Sequence, residues 1–485
     1  MQKFDNEFPK EVLDQVKTAE RIKPVFLSKR SDFRVKAVFT FAPTEDEPVD
    51  RAFSLSKNGT GWRLGIHVAD VAEFACPGSP LDREARRRGG DFETPSGKIY
   101  MLPPSVTDNI CNLKTNTDRL AVSALLDIDK NGRLVSANFE ESIVRVAVRC
   151  VYSETDALLS NSDPSSMMAL REKYAQLMPV LNDMYELAGI LYRDRIERGA
   201  LAFTPYKRMF TRDEKGRICS VHYGLVHDTE QMLKEIVYFS CCSLGKYMAD
   251  NGLPCLFLGR ESIKDSDVDE ICKIAGIDTP PIDLSSPMRA TMVSEETKGE
   301  RIHSYICEAF ELLLPPKTFS DKPVGNAYCA CDTIATFTNP TGKYADLLTQ
   351  FVIKEAIAAS GRTENINMKK LTKITKERAK AATEAAKYEY LCKKEIRGAC
   401  SLEIMNAAGK SPVTGIPVTV AADGSVMVIL NNGVFARTFK KVSGYKKNDS
   451  EFVIDSVKRK LLQEYKFIIK TPSAVQGEST VDFAE

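Results

Sequence analysis

Acidic side chains are concentrated between residues 42 and 51, where Glu45, Asp46, Glu47 and Asp50 occur close together. Carboxylate oxygens are the hard ligands that magnesium takes, and bound magnesium can activate water for phosphodiester hydrolysis. Such a site requires several carboxylates that converge on one point. Neighbouring side chains of an extended segment point in opposite directions, so the run of three by itself favours a solvated acidic loop.

Nucleophilic chemistry has little support in the sequence. The 13 cysteines lack the CxxC spacing of zinc or redox sites, and we expect them to be reduced thiols. The four histidines are dispersed: His67, His222, His227 and His303. A lone histidine on a predicted strand is typical of a hydrogen-bonded core residue, and we interpret His67 in this way.

Basic residues form several short runs, although the net charge is only +1. The runs occupy residues 86–88, 369–380, 440–447 and 458–460. Each run is compatible with a solvated face and with contacts to phosphate groups, because local charge rather than net charge decides nucleic-acid binding.

The elements that position these residues can be read from hydrophobic spacing. The 485 residues, 43% hydrophobic and 27% charged, indicate a globular chain of two to four domains without a membrane span. Alternation predicts strands near residues 61–71, 120–129, 132–151, 200–224 and 255–259. Helical spacing predicts helices over 8–23, 163–198, 228–251, 265–275, 343–360 and 366–394, and Pro179 should split the second. From about residue 395, Asp-Gly and Asn-Gly turns between β-branched runs predict a small β-barrel.

An ordered series of short motifs adds a family resemblance. The motifs are Arg30-Ser31-Asp32-Phe33-Arg34, residues 61–71, 78–85, 101–103, 109–113, 118–123 and 198–201, and Phe337 to Leu348. Their order and spacing resemble the RNB domain of the ribonuclease II and ribonuclease R family from residue 8 to about residue 390. The resemblance implies an α+β (mixed α/β) domain with a channel for single-stranded RNA, followed by an S1/OB-type barrel.

Domain boundaries follow from this resemblance and from the turn pattern. We expect a lead-in helix within residues 1–30, an RNB-like domain over 31–394 and a small β domain over 395–470. Residues 471–485 are expected to be a disordered tail.

The resemblance also implies a magnesium site, from which this chain departs. The four aspartates of the family map without gaps onto Ala42, Pro48, Asp50 and Arg51, so Asp50 is the remnant of that set. Alanine and proline offer no ligand, and the charge of Arg51 opposes a cation. We therefore expect no metal cofactor. Magnesium would be required only if other carboxylates, Glu45, Asp46 and Glu47, rebuild the site.

The positions that handle RNA in the family are only partly kept. The family arginine that contacts phosphate falls on Gly342, which leaves Lys343 as a point charge without bidentate geometry. A stacking tyrosine of the family falls on Glu93, whose carboxylate cannot stack.

Three further positions match family residues that contact RNA. Tyr152 and Phe203 are aromatic as in the family, and Glu384 lies where the family has a glutamate near the RNA end. A packing role in the core or on the surface explains each of these three residues equally well.

Three functional hypotheses follow. The first is a pseudo-exoribonuclease that binds single-stranded RNA without cutting it, because changes at several family positions of one pocket are hard to reconcile with hydrolysis. The second is an active 3′-to-5′ exoribonuclease with a remodelled metal site, and the third is a protein-interaction module that does not bind RNA. The polar N-terminus and the scattered cysteines favour a cytoplasmic location.

Overall fold

The computed structural model describes the whole chain except residues 1–4, 22–29, 95–96, 161–166, 204–205, 276–277, 300–302, 360–366, 421–422, 444, 446–449, 474–478 and 485. Lys446 and Lys447, which belong to one of the predicted basic runs, lie outside the described residues.

Strands account for two barrels and four two-stranded sheets in the described part of the chain. In chain order they are β1 (Ser31–Ala42), β2 (Arg51–Asn58), β3 (Gly61–Ala69), β4 (Phe92–Thr94), β5 (Gly97–Ile99), β6 (Asp118–Ile128), β7 (Leu134–Val151), β8 (Tyr206–Arg212), β9 (Ile218–Leu225), β10 (Phe257–Gly259), β11 (Thr318–Ser320), β12 (Val413–Val420), β13 (Ser425–Leu430), β14 (Phe435–Lys441), β15 (Glu451–Ile454), β16 (Val457–Lys460), β17 (Tyr465–Thr471) and β18 (Ser479–Phe483).

Helices pack around the first barrel and connect it to the second. In chain order they are α1 (Lys10–Ala19), α2 (Val71–Phe74), α3 (Pro80–Arg88), α4 (Tyr152–Leu159), α5 (Met167–Lys173), α6 (Met178–Glu197), α7 (Asp228–Asp250), α8 (Asp265–Ala275), α9 (Ser286–Glu296), α10 (His303–Leu313), α11 (Tyr344–Ala358) and α12 (Met368–Ala408). None of the helices described here has both the length and the apolar composition needed to cross a membrane.

The first barrel closes in the order β1-β2-β3-β6-β7, with β1 parallel to β7 and the other neighbours antiparallel. Its interior is filled by large side chains from alternate strand positions, as the strand period of two requires. Phe39 and Phe53 are buried partners across β1 and β2, and Leu64 and Ile66 of β3 are fully buried. The α+β architecture expected from the sequence is therefore confirmed.

The second barrel closes in the order β12-β13-β14-β18-β17, which confirms the expected small C-terminal barrel. The boundary at residue 395 is wrong, because α12 continues to Ala408 and the barrel begins at Val413. A disordered tail over 471–485 is also wrong for Ser479–Phe483, which form β18 between β14 and β17. Val481 of β18 is fully buried, and Phe483 packs against Phe467 with ring centroids 4.6 Å apart.

The helices follow most of the predicted pattern. The helix expected over residues 163–198 is divided into α5 and α6, and Pro179 lies in the first turn of α6, where its missing N–H costs no hydrogen bond. Helices α9 and α10 were not predicted. The strand predicted over 61–71 ends at Ala69, because Asp70 caps α2 by accepting a hydrogen bond from the Glu73 N–H.

A buried charge cluster joins the first barrel to α11. Asp70 is fully buried, and its Oδ2 lies 2.7 Å from Lys354 Nζ and 2.6 Å from Arg30 Nη2. The same lysine lies 2.6 Å from Glu73 Oε2 and 2.9 Å from Glu141 Oε1. Two cations thus compensate three carboxylates, and removing either cation would leave the three negative charges facing a single positive one.

We predict that Lys354→Met lowers the free energy of unfolding by about 3–5 kcal/mol at neutral pH, because it leaves three carboxylates facing Arg30 alone. Lys373→Met is the matched control, since that side chain is 77% exposed, and it should change stability by less than about 0.5 kcal/mol. Urea unfolding of both variants and the wild type measures the difference. Equal losses in the two variants would contradict a structural role of the cluster.

The loss of stability caused by Lys354→Met should depend on pH. Burial raises the pKa of Glu73, but Lys354 and Arg30 outweigh burial and hold this pKa below its usual value. The wild type gains this stabilisation above the usual glutamate pKa of about 4.3 and loses it as the pH falls through the lowered value. The difference between Lys354→Met and wild type should therefore shrink in acid.

Candidate functional site

Asp50 is held at the start of β2 by contacts with the segment before α11. Its Oδ2 accepts a hydrogen bond of 2.6 Å from Thr341 Oγ1, and its backbone carbonyl accepts one of 2.8 Å from the Ala69 N–H. Burial raises the pKa of Asp50, and the negative charge of Asp346 adds to this effect, whereas Thr341 and Arg51 oppose it. The carboxylate is therefore fixed in position but poorly solvated.

Asp346 is the second carboxylate of this region. It is 1% exposed, and its Oδ2 accepts a hydrogen bond of 2.9 Å from the Asn339 N–H. Within the described structure its Oδ1 has no hydrogen-bond partner. Two carboxylates approach the site from two elements, which is fewer oxygen ligands than a pair of magnesium ions requires.

The other three positions of the implied metal set provide no ligand. Ala42 is fully buried beside Val151 in the register of β1 and β7, and Pro48 is exposed. Arg51 packs over the ring of Phe53 with its Cζ 5.7 Å from the centroid, and its charge lowers the pKa of Asp50. A positive side chain thus occupies the neighbourhood of the remaining aspartate, and these residues do not fit the family's metal pair.

The acidic loop does not rebuild the metal site. Glu45 Oε1 lies 2.6 Å from Lys173 Nζ, and the side chains of Asp46 and Glu47 are exposed. Arg149 fixes the loop from inside, since its Nη1 donates to the carbonyls of Glu45 and Glu47 at 2.5 Å and 2.8 Å. The solvated loop predicted from the sequence is confirmed.

One group of three metal-ligand side chains occurs among the described residues, and it does not include Asp50. The group consists of Asp70, Glu73 and Glu141, which Arg30 and Lys354 already neutralise. It belongs to the structural charge cluster described above.

Gly342 has no room for an arginine. A Cβ atom at this position would lie 2.7 Å from Asp91 Oδ2 and 2.9 Å from Asn339 Oδ1. Asp91 is fixed there, because its Oδ2 lies 2.8 Å from Lys98 Nζ and its Oδ1 accepts a 2.6 Å hydrogen bond from the Met101 N–H. The backbone also closes on this point, since the Asp91 N–H donates to the Gly342 carbonyl at 2.9 Å.

A cleft lined by cations and aromatic rings lies along α12. It has a volume of about 200 Å³ and we call it the basic cleft. Its charged and aromatic lining residues are Phe203, Arg260, Glu311, Lys317, Tyr328, Glu389, Tyr390, Lys393, Lys394 and Arg397. A neighbouring cavity of about 120 Å³ shares Lys317 and Glu389 with it and reaches Gly342 and Lys343. The basic cleft therefore leads to the neighbourhood of the altered site.

Positive charge exceeds negative charge in the basic cleft. Glu389 lies 2.7 Å from Lys393, and Glu311 lies 2.9 Å from Arg397, so two of the five cations are paired with carboxylates. Lys317 is half-buried, and the nearby charge of Lys343 together with burial lowers its pKa to about 8. The repulsion between Lys343 and Lys317 indicates a positive electrostatic potential in the cleft, which a bound anion would reduce.

The structure brings some predicted RNA-contacting residues together and separates others. Phe203 lines the basic cleft although it is 8% exposed, and exposed Lys343 lies at the end of the adjoining cavity. Tyr152 lies outside the basic cleft, with its ring 6.0 Å from that of His227. It is close enough to Arg51 for that charge to oppose the rise in pKa that burial causes. Glu384 is on the exposed side of α12 and lies 4.0 Å from Lys380.

Two remaining expectations concern Glu93 and His67. The backbone of Glu93 is in β4, paired with Lys98 of β5, while its side chain lies outside what the structure describes. His67 is a core residue, as predicted, with its ring nitrogens 3.0 Å from Ser54 Oγ and 2.7 Å from Ser123 Oγ. Burial lowers its pKa to about 3, so it is neutral at physiological pH.

Several residues of the site were not found from the sequence. Thr341 and Asn339 lie within a motif that carried the family resemblance, so their position could have been inferred from it. Arg260, Lys317 and Tyr328 belong to no motif, and only the folding of three separate segments brings them to one cleft.

Comparisons with known proteins agree with the fold and with the motif series. The RNB domain family model matches residues 30–359. Ribonuclease R of Aquifex aeolicus is 25% identical over 368 residues, which are 75% of this chain and 51% of that protein. The chain spans about half or less of the length of the curated relatives it matches.

Solved structures show the same fold at low sequence identity. Mycoplasma genitalium ribonuclease R in complex with ribose-methylated single-stranded RNA gives a TM-score of 0.78 at 14% identity, covering 99% of this chain and 76% of that chain. Yeast Ssd1, described as a pseudonuclease, gives a TM-score of 0.59 at 18% identity, covering 86% of this chain and 51% of that one. Because the family model matches more than half of its residues, the chain belongs to the RNB domain family.

Proposed function

We propose that this protein binds single-stranded RNA and does not hydrolyse it. The observation that carries the proposal is the state of Asp50. It is the one aspartate at the four implied metal positions, and beside it lies Arg51 in place of a ligand. Metal-assisted hydrolysis needs several oxygen ligands that converge on the ions, and this arrangement does not supply them.

The altered phosphate position supports the same proposal independently. Asp91 and Asn339 occupy the space that a side chain at residue 342 would need. Stabilising the charge that develops on a transferring phosphate depends on cations placed at that point. A carboxylate there has the opposite electrostatic effect, and Lys343 is a single point charge on the exposed side.

RNA binding is supported by the basic cleft. Sequence-independent binding of single strands combines a positive groove for the backbone with aromatic rings on which bases stack. The basic cleft has both, with Phe203, Tyr328 and Tyr390 among five cationic side chains. The similar ribonuclease R structure from Mycoplasma genitalium holds single-stranded RNA, and the similar yeast Ssd1 is named a pseudonuclease.

The two alternatives remain outcomes of the test. An active exoribonuclease would need ligands in addition to Asp50 and Asp346, and a protein-interaction module would not need the cations of the basic cleft.

We also propose a cytoplasmic location, because all 13 cysteines are free thiols.

We predict that end-labelled single-stranded RNA binds to the protein but is not shortened when magnesium or manganese is added. Binding should weaken with salt, with a slope in log units of about 0.7 per phosphate contacted. Lys393→Ala should lower affinity about threefold to tenfold and reduce that slope, whereas Lys373→Ala on the exposed face of α12 should change neither. Stepwise shortening would establish the active enzyme, and absence of binding at moderate salt would favour the protein-interaction module.

The affinity for RNA should also depend on the protonation state of Lys317. Phosphate favours the protonated amine, so RNA affinity should fall by roughly threefold as the pH rises from about 7 to about 9 and Lys317, with its pKa of about 8, loses its proton. Lys317→Met should be weaker at pH 7 and should lack this pH dependence. Lys380→Met, at an 85% exposed position, should behave as the wild type. Fluorescence anisotropy with an oligoadenylate measures all three, and a flat wild-type profile would contradict the role of Lys317.

Replacement of Asp50 tests whether this residue still binds a metal ion. The pKa of Asp50 is raised, so its ionised form costs stability above the usual aspartate pKa of about 3.9. Asp50→Asn keeps an acceptor for Thr341 and should raise the midpoint of thermal unfolding at neutral pH, with no gain below about pH 4. Asp46→Asn in the exposed loop should have no effect. If magnesium raises the midpoint of the wild type but not of Asp50→Asn, the metal site is intact and the proposal fails.

A further inference from the structure

Two thiols from distant parts of the chain lie in contact beside the basic cleft. Cys242 is on α7 and Cys331 is in the turn formed by residues 326–331, and their sulfur atoms are 3.0 Å apart. A disulfide bond is about 2.05 Å long, so a movement of about 1 Å would join them. Both residues are half-buried rather than fully buried.

The turn that carries Cys331 is held in place by its own backbone. The Asn326 N–H donates to the Cys331 carbonyl at 2.9 Å, and the Cys329 N–H donates to Asn326 Oδ1 at 3.2 Å. Ala330, between Cys329 and Cys331, has a φ of +47°, which a side-chain-bearing residue adopts only when the surroundings enforce it. The contact between the thiols is thus part of an ordered structure.

The surroundings of Cys331 favour its thiolate. The hydrogen bond from Cys242 lowers the pKa of Cys331, burial opposes this effect, and the positive charge of Arg198 adds to it. Arg198 also donates a hydrogen bond to the Ala330 carbonyl. In contrast, burial raises the pKa of neighbouring Cys329 and of Cys241 to about 12. Because thiolates are the reactive form, these surroundings favour Cys331 over its neighbours as the attacking sulfur.

The same turn carries a side chain of the basic cleft. The ring of Tyr328 lies 6.4 Å from that of Phe203 and 5.9 Å from that of Tyr238, and Arg260 Cζ lies 5.2 Å from its centroid. A covalent bond three residues further along would therefore limit the movement of Tyr328 relative to α7.

We infer that Cys242 and Cys331 form a reversible redox pair whose disulfide fastens the Tyr328 turn to α7. With a peroxide as oxidant, the Cys331 thiolate attacks one peroxide oxygen, forms a sulfenic acid and releases hydroxide, which takes a proton to become water. The sulfur of Cys242 loses its proton, attacks the sulfur of Cys331 and displaces a second hydroxide, which is released as water. Two thiols lose two electrons to one hydrogen peroxide and give one disulfide and two waters. This inference goes beyond the proposed function and does not depend on RNA binding.

The test begins with the cross-link in the folded wild-type protein. We expect near-stoichiometric hydrogen peroxide to remove two alkylatable thiols and to produce one peptide pair that links Cys242 to Cys331, reversed by dithiothreitol. Mass spectrometry of the alkylated and digested protein detects the pair. Retention of both thiols, or a cross-link between any other cysteines, overturns the inference without involving a variant that fails to fold.

Hydrogen exchange tests the mechanical part of the inference. Oxidation should slow the exchange of the amides in residues 326–331 by roughly tenfold, because the cross-link opposes local opening. Cys242→Ser should abolish both the cross-link and the added protection, and a diketone reagent should then trap the sulfenic acid on Cys331. Cys219→Ser, a half-exposed cysteine on β9, should leave the cross-link and the protection unchanged. Unchanged exchange in oxidised wild type would overturn the fastening of the turn.

Discussion

The docking of α11 against the first barrel is the contact on which the rest of the site depends. Lys354 of α11 reaches Asp70 at the end of β3, and Gln350, one turn earlier, donates to the Ala69 carbonyl at 2.9 Å. Asp70, Ala69 and Gln350 are buried and the Lys354 side chain is 18% exposed, so a shift of the helix would leave buried polar groups without partners. Because the segment before α11 carries Thr341, the same docking places the Thr341 hydroxyl against Asp50.

The electrostatic consequence of this docking is that Asp50 has a cation and a hydroxyl beside it without an added ion. The family resemblance implies converging aspartates whose negative charge divalent cations would compensate. Here Arg51 supplies a positive charge next to Asp50, and the Thr341 hydroxyl donates to the same carboxylate. The pKa of Asp50 is nevertheless raised, since burial outweighs these two effects. Arg51, as a fixed cation, offers a second positive ion repulsion rather than coordination.

The sequence predicted the parts of this molecule that depend on local periodicity and on an ordered motif series. The strands around Gly61 and Leu120, the helices over residues 228–251 and 265–275, and the C-terminal barrel all follow from spacing and turn residues. The disordered tail was wrong because Ser479, Val481 and Phe483 alternate over a stretch too short and too polar to stand out, and only pairing with β14 and β17 makes it a strand.

The candidate site also has parts that the sequence predicted and parts that it did not. Asp50, Gly342 and Lys343 were found because they fall within motifs, and the structure connects Asp50 through Thr341 to the segment that carries the other two. The filling of the space at Gly342 by Asp91 and Asn339 could not be predicted, since it depends on backbone approach between distant segments. The basic cleft could not be predicted either, because its lining residues come from separate segments near residues 203, 260, 317, 328 and 393.

Loss of cutting and retention of binding are physically separable in this fold. Hydrolysis requires several ligands within a few tenths of an ångström of fixed positions, and an arginine in the set repels the cation that these ligands would hold. Binding of a phosphate backbone requires only a positive field and surfaces for stacking, to which many residues contribute small amounts. In this protein the residues near Asp50 supply few of the ligands that hydrolysis needs, while the charge of Lys343, together with burial, lowers the pKa of Lys317 to about 8. A cleft that keeps such unrelieved positive charge is energetically favourable for a polyanion, whether or not the chemistry at its end survives.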